Sequence, residues 1–431
     1  MARLQPLTAV ACAVLLHLGG AGPACADGEP LSLRAAIASA LRSNPELQGF
    51  AYALRAQDGR VRQAGVGPAL ELTVTTEDLL GTGAVNGLGN AELTLSLSRT
   101  IELGDKRARR IDAATAERNR LQAERSVRQL DLLAEVARRY IETAADQERL
   151  RLAQRATQLA AATRNAVQKR VDAARSPLAE ASRAGILLAR ARLDEAALVR
   201  QLASDRQRLA ALWGDAAPTF ETVQAALFTL PPVDEFAELT TRLAGNPDLA
   251  AFISEARLRD AELRLAVSQR TADVTITAGV RRLQDGRDQG LVFSASVPLG
   301  GRDRQAGNVL EAEARRDQVA ADQAAAALRV RTDLFALYQQ LLQARAEVEG
   351  LERDVLPRAS EALKLTEYAY ERGRYSYLEW VDAQRELLEV ERQHIDAAAD
   401  YHLRLAEIER LTGEALARAP DATSSPSGDA R

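Results

Sequence analysis

The feature that most restricts the fold is an internal duplication. The segment LRAAIASALRSNPEL (33–47) returns as FAELTTRLAGNPDL (236–249), so Asn44-Pro45-Glu46-Leu47 recurs as Asn246-Pro247-Asp248-Leu249. Each helical pattern must end before its Asn-Pro, because the residue preceding a proline is pushed out of the helical region. After each copy come, in the same order, a short helix, two alternating segments, a Gly-containing corner and a very long helical block. A period of about 200 residues is far longer than that of a solenoid repeat. The repeats occupy residues 27–212 and 235–415. Residues 213–234, with Pro218, Pro231 and Pro232, link them.

The alternating segments predict two β-hairpins, over residues 69–99 and 272–298. Leu70, Leu72 and Val74 oppose Glu71, Thr73 and Thr75, and Leu93, Leu95 and Leu97 oppose Glu92, Thr94, Ser96 and Ser98. In the second repeat Val274, Ile276 and Val280 alternate with Asp273, Thr275 and Thr277. Leu291, Phe293, Ala295 and Val297 alternate with Val292, Ser294 and Ser296. Period-2 alternation over about 8 to 10 residues suits a membrane barrel, apolar side chains toward lipid and polar ones toward the lumen. It equally suits a soluble hairpin with one buried face, provided that something covers that face. Four strands cannot enclose a pore, since barrels begin at about eight. A barrel therefore needs strands from sister chains.

The helical blocks are too long for a compact domain. Ala, Leu, Arg, Glu and Gln, all strong helix formers, dominate residues 106–211 and 302–411, while aromatics make up only 4% of the chain. From Leu334 through Leu341, Val348, Leu351, Val355, Ala359 and Leu363 the apolar positions recur near the coiled-coil spacing of about 3.5 residues. Leu130, Leu133, Ala137, Tyr140, Ala144 and Ala153 repeat it more loosely. Some 65 to 70 helical residues extend about 100 Å. Pro357 should kink its helix. Each block turns back once, near Ala173–Pro177 and near Arg372–Ser376, giving long helical hairpins over residues 105–212 and 302–412.

The N-terminus reads as a secretory signal over residues 1–26. It has a lone charge at Arg3, an apolar run from Leu7 to Leu18 and an Ala24-Cys25-Ala26 cleavage site. Cleavage there removes both cysteines, Cys12 and Cys25, and with them any disulfide or thiolate ligand. Cys25 is alternatively a lipid-attachment site, although Pro23 and the absence of an aliphatic residue three before it fit poorly. No later run has the roughly 20 apolar residues of a membrane helix, so any span must be a barrel. The tail, residues 416–431, is rich in Pro, Ser and Asp and predicts disorder.

Strands joined to long helical hairpins, duplicated in one exported chain, resemble the TolC-like outer-membrane efflux proteins. The string Thr100-Ile101-Glu102-Leu103-Gly104-Asp105-Lys106-Arg107 is similar to the TIELGGKR-like corner of the cobalt-zinc-cadmium branch, with Asp105 in place of the second Gly. The second corner, at Gly300 and Gly301, also suits the family. The resemblance implies a mixed α/β membrane protein. Its long coiled-coil helices form an α-barrel tunnel in the periplasm. Each protomer gives four strands to a trimeric, 12-stranded β-barrel in the outer membrane of a Gram-negative bacterium. It also implies docking to a periplasmic adaptor and a proton-driven inner-membrane pump of the RND type, with outer-membrane lipid around the barrel. The duct is passive and exports heavy-metal cations; drugs, or polypeptides of type I secretion, are alternative cargoes. A reading from another class is a periplasmic coiled-coil scaffold or adaptor without a barrel.

At the periplasmic aperture Glu379 and Asp382 match the family's acidic ring, and their i, i+3 spacing puts both on one helix face. Tyr370 matches the gate tyrosine and Glu180 its acidic partner. Tyr375 stands where the family has a basic residue, and Arg374 beside it is the candidate substitute. Ala174, Arg175, Ser176 and Gly373 are the expected adaptor contacts at the hairpin tips.

Catalytic chemistry is not indicated. His394 and His402 stand eight apart, too far for an i, i+4 ligand pair, and no metal or other cofactor is expected. The sequence has no P-loop, dinucleotide fingerprint or nucleophile elbow. A net charge of −4 gives nucleic-acid binding no support.

Overall fold

The structure, a computed structural model, describes residues 30–413 apart from Leu79, Asn86 and Gly87. The expected signal segment with Cys12 and Cys25, and the tail over residues 416–431, lie outside the described residues.

The first repeat begins with α1 (Leu33–Ser43), capped by the Ser32 hydroxyl, which accepts the Ala35 N–H at 3.2 Å. Asn44 then caps α2 (Pro45–Ala64). Strands β1 (Leu70–Glu77) and β2 (Glu92–Ile101) follow, with a short 3₁₀ turn at Gly83–Val85 between them. Helix α3 (Lys106–Asp172) runs for 67 residues, and α4 (Leu178–Ala211) returns beside it. The second repeat has α5 (Phe236–Arg242), a 3₁₀ turn at Leu243–Gly245, and α6 (Pro247–Ser268). Strands β3 (Val274–Leu283) and β4 (Gln289–Ser296) come next. A single turn, α7 (Gly301–Arg304), then leads to α8 (Ala306–Gly350), α9 (Leu356–Glu371) and the returning α10 (Tyr377–Thr412).

The recurring Asn does more than end a helix. Its Asn44 side-chain oxygen accepts the Leu47 N–H at 3.0 Å, and its amide donates to the Leu212 carbonyl at 2.8 Å. Asn246 repeats both bonds, to the Leu249 N–H at 2.8 Å and the Leu411 carbonyl at 2.7 Å. The proline after each Asn sits in the first helical turn, where its missing N–H costs nothing. One buried side chain thus fastens the start of a short helix to the end of that repeat's long hairpin. Arg410 adds a second clamp, bonding Asp131 on α3 through Nε at 2.9 Å and Asp248 on α6 at 2.8 Å.

The Pro357 break falls just upstream of the proline. Between α8 and α9 the helix widens into a π-turn at Leu351–Val355, where the Leu356 N–H reaches back to the Leu351 carbonyl. Proline has no N–H for the carbonyl of Arg353 and its ring crowds it, so one wider turn relieves the clash.

The linker is a packed strap. Leu31 forms a parallel bridge with Val223, donating to the Thr222 carbonyl and accepting from the Gln224 N–H, both at 2.9 Å. Phe220, Val223 and Leu227 enter the main core with Val136, Tyr140 and Ala144 of α3 and Ala398 of α10. A second core joins α5, α8 and α10 around Leu334, Leu341, Tyr401 and Ile408. A third lies at the hairpin tips.

Candidate functional site

The four strands form one antiparallel sheet in the order β1-β2-β3-β4. Register sets Leu72 opposite Leu97, Leu95 opposite Val280, and Val280 opposite Leu291. Because side chains alternate, these residues share one face with Leu70, Val74, Leu93, Ile276 and Phe293. That face is bare: Leu291 and Phe293 are each 73% exposed, and Leu70, Leu72 and Val74 are all above 60%. The opposite face carries Thr73, Ser96, Thr277 and Ser294, and there Arg281 bonds Thr94 at 3.1 Å, Glu92 at 2.8 Å and Glu77 at 3.1 Å. The outer edges of β1 and β4 have no partner strand among the described residues. No helix among the described residues is long and apolar enough to cross a membrane.

The strand-to-helix corners explain their motif. Gly104 and Asp105 both take left-handed backbone, with φ of 74° and 57°. Asp tolerates that region better than most residues, so the substitution leaves the turn intact. Gly104 is also needed for space: a Cβ there would stand 2.7 Å from the Thr271 hydroxyl. Glu102 pairs with Arg110 (Oε2 to Nη2 2.9 Å), and Asp273 takes Lys106 Nζ at 2.7 Å and the Leu103 N–H at 3.1 Å. At the second corner Gly300 has φ of 77°, and a Cβ on Gly301 would stand 2.7 Å from the Arg270 carbonyl. The two corners therefore close on adjacent residues just past the end of α6, the first on Thr271 and the second on Arg270.

At the other end the two hairpins meet through aromatics. Tyr370, 3% exposed, stacks on Trp380 with centroids 4.7 Å apart. Tyr377, Trp380 and Val381 pack with Val167 and Ala184 of the first hairpin. Arg170 lies with its guanidinium 4.6 Å from the Tyr370 ring centroid, and its Nη1 donates to the Tyr370 carbonyl at 2.7 Å. Its Nε reaches the Ser176 hydroxyl at 3.3 Å. Burial pushes the Tyr370 hydroxyl up; Arg170 pulls it down and Glu180 pushes it up again. Burial likewise raises Tyr377. Glu180 is half-buried, and its Oε2 is shut from solvent without a hydrogen bond.

The sequence-predicted residues separate into groups. Glu180 and Tyr370 come together in the tip core. Arg374 and Tyr375 are exposed and take no part in it, and no ion pair reaches Arg374 among the described residues. Glu379 lies on the solvent side of α10, but its carboxylate is engaged. It accepts the Ser376 N–H at 2.6 Å and hydroxyl at 2.8 Å, while its own N–H donates to the Ser376 oxygen at 3.4 Å. The Ser376 N–H, then the hydroxyl, holds the Glu379 carboxyl below the usual range. Asp382, one turn on, is 72% exposed with Arg385 at 3.6 Å. At the turns Ala174 has φ of 55° and Gly373 of 72°, and Arg175 is exposed.

Three residues escaped sequence reasoning. Ser376 and Glu379 form a capping box, legible as Ser-x-x-Glu before a helix. Trp380 is one of only two tryptophans, and its nearness to four tyrosines, Tyr368, Tyr370, Tyr375 and Tyr377, in an aromatic-poor chain was the available signal. Arg170 carried none, because its partner is 200 positions away. His394 stacks on Phe228 at 4.6 Å, and His402 Nε2 stands 2.9 Å from the Leu227 carbonyl.

The sequence matches the family "Outer membrane efflux protein" over residues 36–215 and 239–414, once per repeat. It is 30% identical over 384 residues to the cobalt-zinc-cadmium resistance protein CzcC of Cupriavidus metallidurans, covering 89% of this chain and 90% of that protein. It is 27% identical to the nickel-cobalt-cadmium resistance protein NccC of Alcaligenes xylosoxydans xylosoxydans, over 75% and 71% of the two chains. The crystal structure of the outer membrane protein VceC of Vibrio cholerae superposes with a TM-score of 0.70 at 21% identity, covering 89% of this chain and 96% of that one. Bare-faced strands at one end and paired helical hairpins at the other are the parts of an efflux channel, and the chain belongs to the outer membrane efflux protein family.

Proposed function

We propose that this chain is the outer-membrane duct of a tripartite efflux system expelling heavy-metal cations, assembled as a trimer with a periplasmic helical tunnel. The observation that carries the assembly is the four-stranded sheet with an uncovered apolar face and two open edges. Unpaired backbone groups are very costly in lipid, so the sheet must close with other chains. Three copies supply the twelve strands of a small barrel. The helices agree with this: α4 and α8, at opposite ends of the order α4-α3-α10-α8, expose Ile186, Leu193, Leu310, Leu328 and Phe335. These faces meet when copies are set in a ring.

The cargo rests on kinship with proteins named for cobalt, zinc, cadmium and nickel resistance. In that reading Glu379 and Asp382 face the aperture three times over and attract cations. The periplasmic adaptor docks at the tips, around Ala174, Arg175, Ser176 and Gly373, and an inner-membrane pump supplies the energy. Deleting this gene together with its neighbouring pump genes should sensitise cells to cobalt, zinc or cadmium. Unchanged metal tolerance with lost drug tolerance would overturn the cargo while leaving the duct.

A further inference from the structure

Arg281 and Arg282 are neighbours on β3 with opposite surroundings. Arg281 lies on the polar face and is spent on Thr94, Glu92 and Glu77. Arg282 lies on the apolar face, is exposed, and has no hydrogen bond or ion pair among the described residues. Assembly does not supply one. β3 sits between β2 and β4, so a ring closed through the outer edges of β1 and β4 leaves this face of β3 bare.

Register shows where the guanidinium stands. Its row across the sheet reads Thr76, Leu93, Arg282, Gln289. The next row toward the corners reads Val74, Leu95, Val280, Leu291 and is wholly apolar. From Arg282 the apolar rows run eight residues along β3 to Val274 and Ile101, interrupted only by Arg99, one row from that end. Such a length is about 26 Å of strand, or about 20 Å of depth at a tilt of about 40°, close to the apolar band of a membrane barrel. Barrels mark the edges of that band with aromatic girdles. Here the one aromatic on the four strands is Phe293, which stands within the band opposite Ala278. The edge farthest from the helices is marked instead by a cation and an amide. Gln289 is exposed and directly opposite Arg282, and the Cβ atoms of such pairs lie about 5 Å apart. A guanidinium fork grips two phosphate oxygens at once, and the amide beside it offers a further donor.

We propose that Arg282 and Gln289 form a phosphate-binding site for lipid A, the phosphorylated glycolipid headgroup of the outer leaflet, once per chain on the outward rim of the barrel. The site rests on the duct reading above, and the experiment keeps the two apart. Full-length protein in detergent is titrated with bisphosphoryl lipid A, dephosphorylated lipid A and phosphatidylglycerol, with binding read by native mass spectrometry. Flotation with phosphatidylcholine vesicles is run in parallel. Wild type should float, and should hold bisphosphoryl lipid A at least about fivefold more tightly than either other lipid, the factor one arginine is worth at an anionic surface. Arg282→Gln should abolish that preference. Arg282→Lys, a point charge without the planar fork, should fall between. Gln289→Leu should weaken lipid A about twofold, and it carries the test if Arg282→Gln does not insert. Arg281→Gln removes the same charge from the other face and should leave lipid A binding unchanged. Wild type that floats without preferring bisphosphoryl lipid A overturns the site and leaves the duct. So does equal binding of phosphatidylglycerol, an Arg282→Gln variant that binds as wild type does, or an equal loss in Arg281→Gln. Wild type that stays out of the vesicles refutes the barrel, and the site falls with it.

Discussion

The first hairpin turns through Ala173, Ala174, Arg175 and Ser176, and the second through Arg372, Gly373, Arg374 and Tyr375. Ala174 and Gly373 take the same left-handed conformation, and each donates its N–H three residues back, to Val171 and Tyr370, both at 2.9 Å. The side chains that follow are quite different. The first turn enters α4 through Pro177 with no side-chain cap, while the second enters α10 through the Ser376–Glu379 box and brings Tyr377 and Trp380. Duplication has kept the backbone and let the chemistry diverge. In the ring proposed above, small tips would alternate with aromatic ones, so neighbouring helices there would not be equivalent. The joints at the other end have not diverged: Asn44 and Asn246 make the same two bonds.

Asn44→Ala and Asn246→Ala test that conserved end and should have the largest effect. Each removes a helix cap and leaves a buried carbonyl without its donor, a combined loss of about 3 kcal/mol. Denaturant unfolding of both variants should give similar losses; a several-fold inequality would break the equivalence of the two joints.

The next effect belongs to a carboxyl pair of the first hairpin, whose Arg149 also reaches Asp396 of α10 at 2.6 Å. Asp146 on α3 is buried beside Asp205 on α4, with Arg149 donating to Asp146 at 2.6 Å and Arg208 to Asp205 at 3.1 Å. Burial, then the Asp205 carboxyl, pushes Asp146 from 3.8 up to about 6. The folded chain thus holds a proton that the unfolded chain releases. That contribution is complete below pH 3.8 and is lost as pH rises to about 6. Linkage allows at most about 2 to 3 kcal/mol over the window. Asp146→Asn should flatten melting temperature against pH between pH 4 and 6; an unaltered slope would assign the dependence elsewhere.

The smallest effects come from the turns themselves. Gly373→Ala should cost about 1 kcal/mol and Ala174→Gly should gain a little less, because a side chain in left-handed backbone is penalised. Equal signs in thermal melts would show that the two turns do not share one conformation in solution.

Much of this was legible. Strand alternation at Leu70, Leu72 and Val74 and the near-heptad from Leu334 to Leu363 depend on local period, which needs no knowledge of partners. The corner string announced its turn through Gly104, although the crowding by Thr271 that forbids a side chain there was not visible. The packing of the linker was not legible because its three prolines are louder than Phe220, Val223 and Leu227, whose core belongs to α3 and α10. Glu379 is assigned by its match to the family's acidic ring, and the competing bond comes from Ser376, three residues before it. Arg374 was put forward because it neighbours Tyr375 in sequence, yet the cation on Tyr370 arrives from α3. Contacts that join the two repeats leave no periodic trace.

The open edges of β1 and β4 bear on how such a molecule comes into being. In the trimer proposed above, translation finishes the helices of a single chain but not the sheet, whose last hydrogen bonds are then intermolecular. Maturation of that assembly would have a kinetic order above one and would slow steeply as expression falls. A solitary copy would linger with adhesive borders exposed, where proteases and chaperones decide its fate.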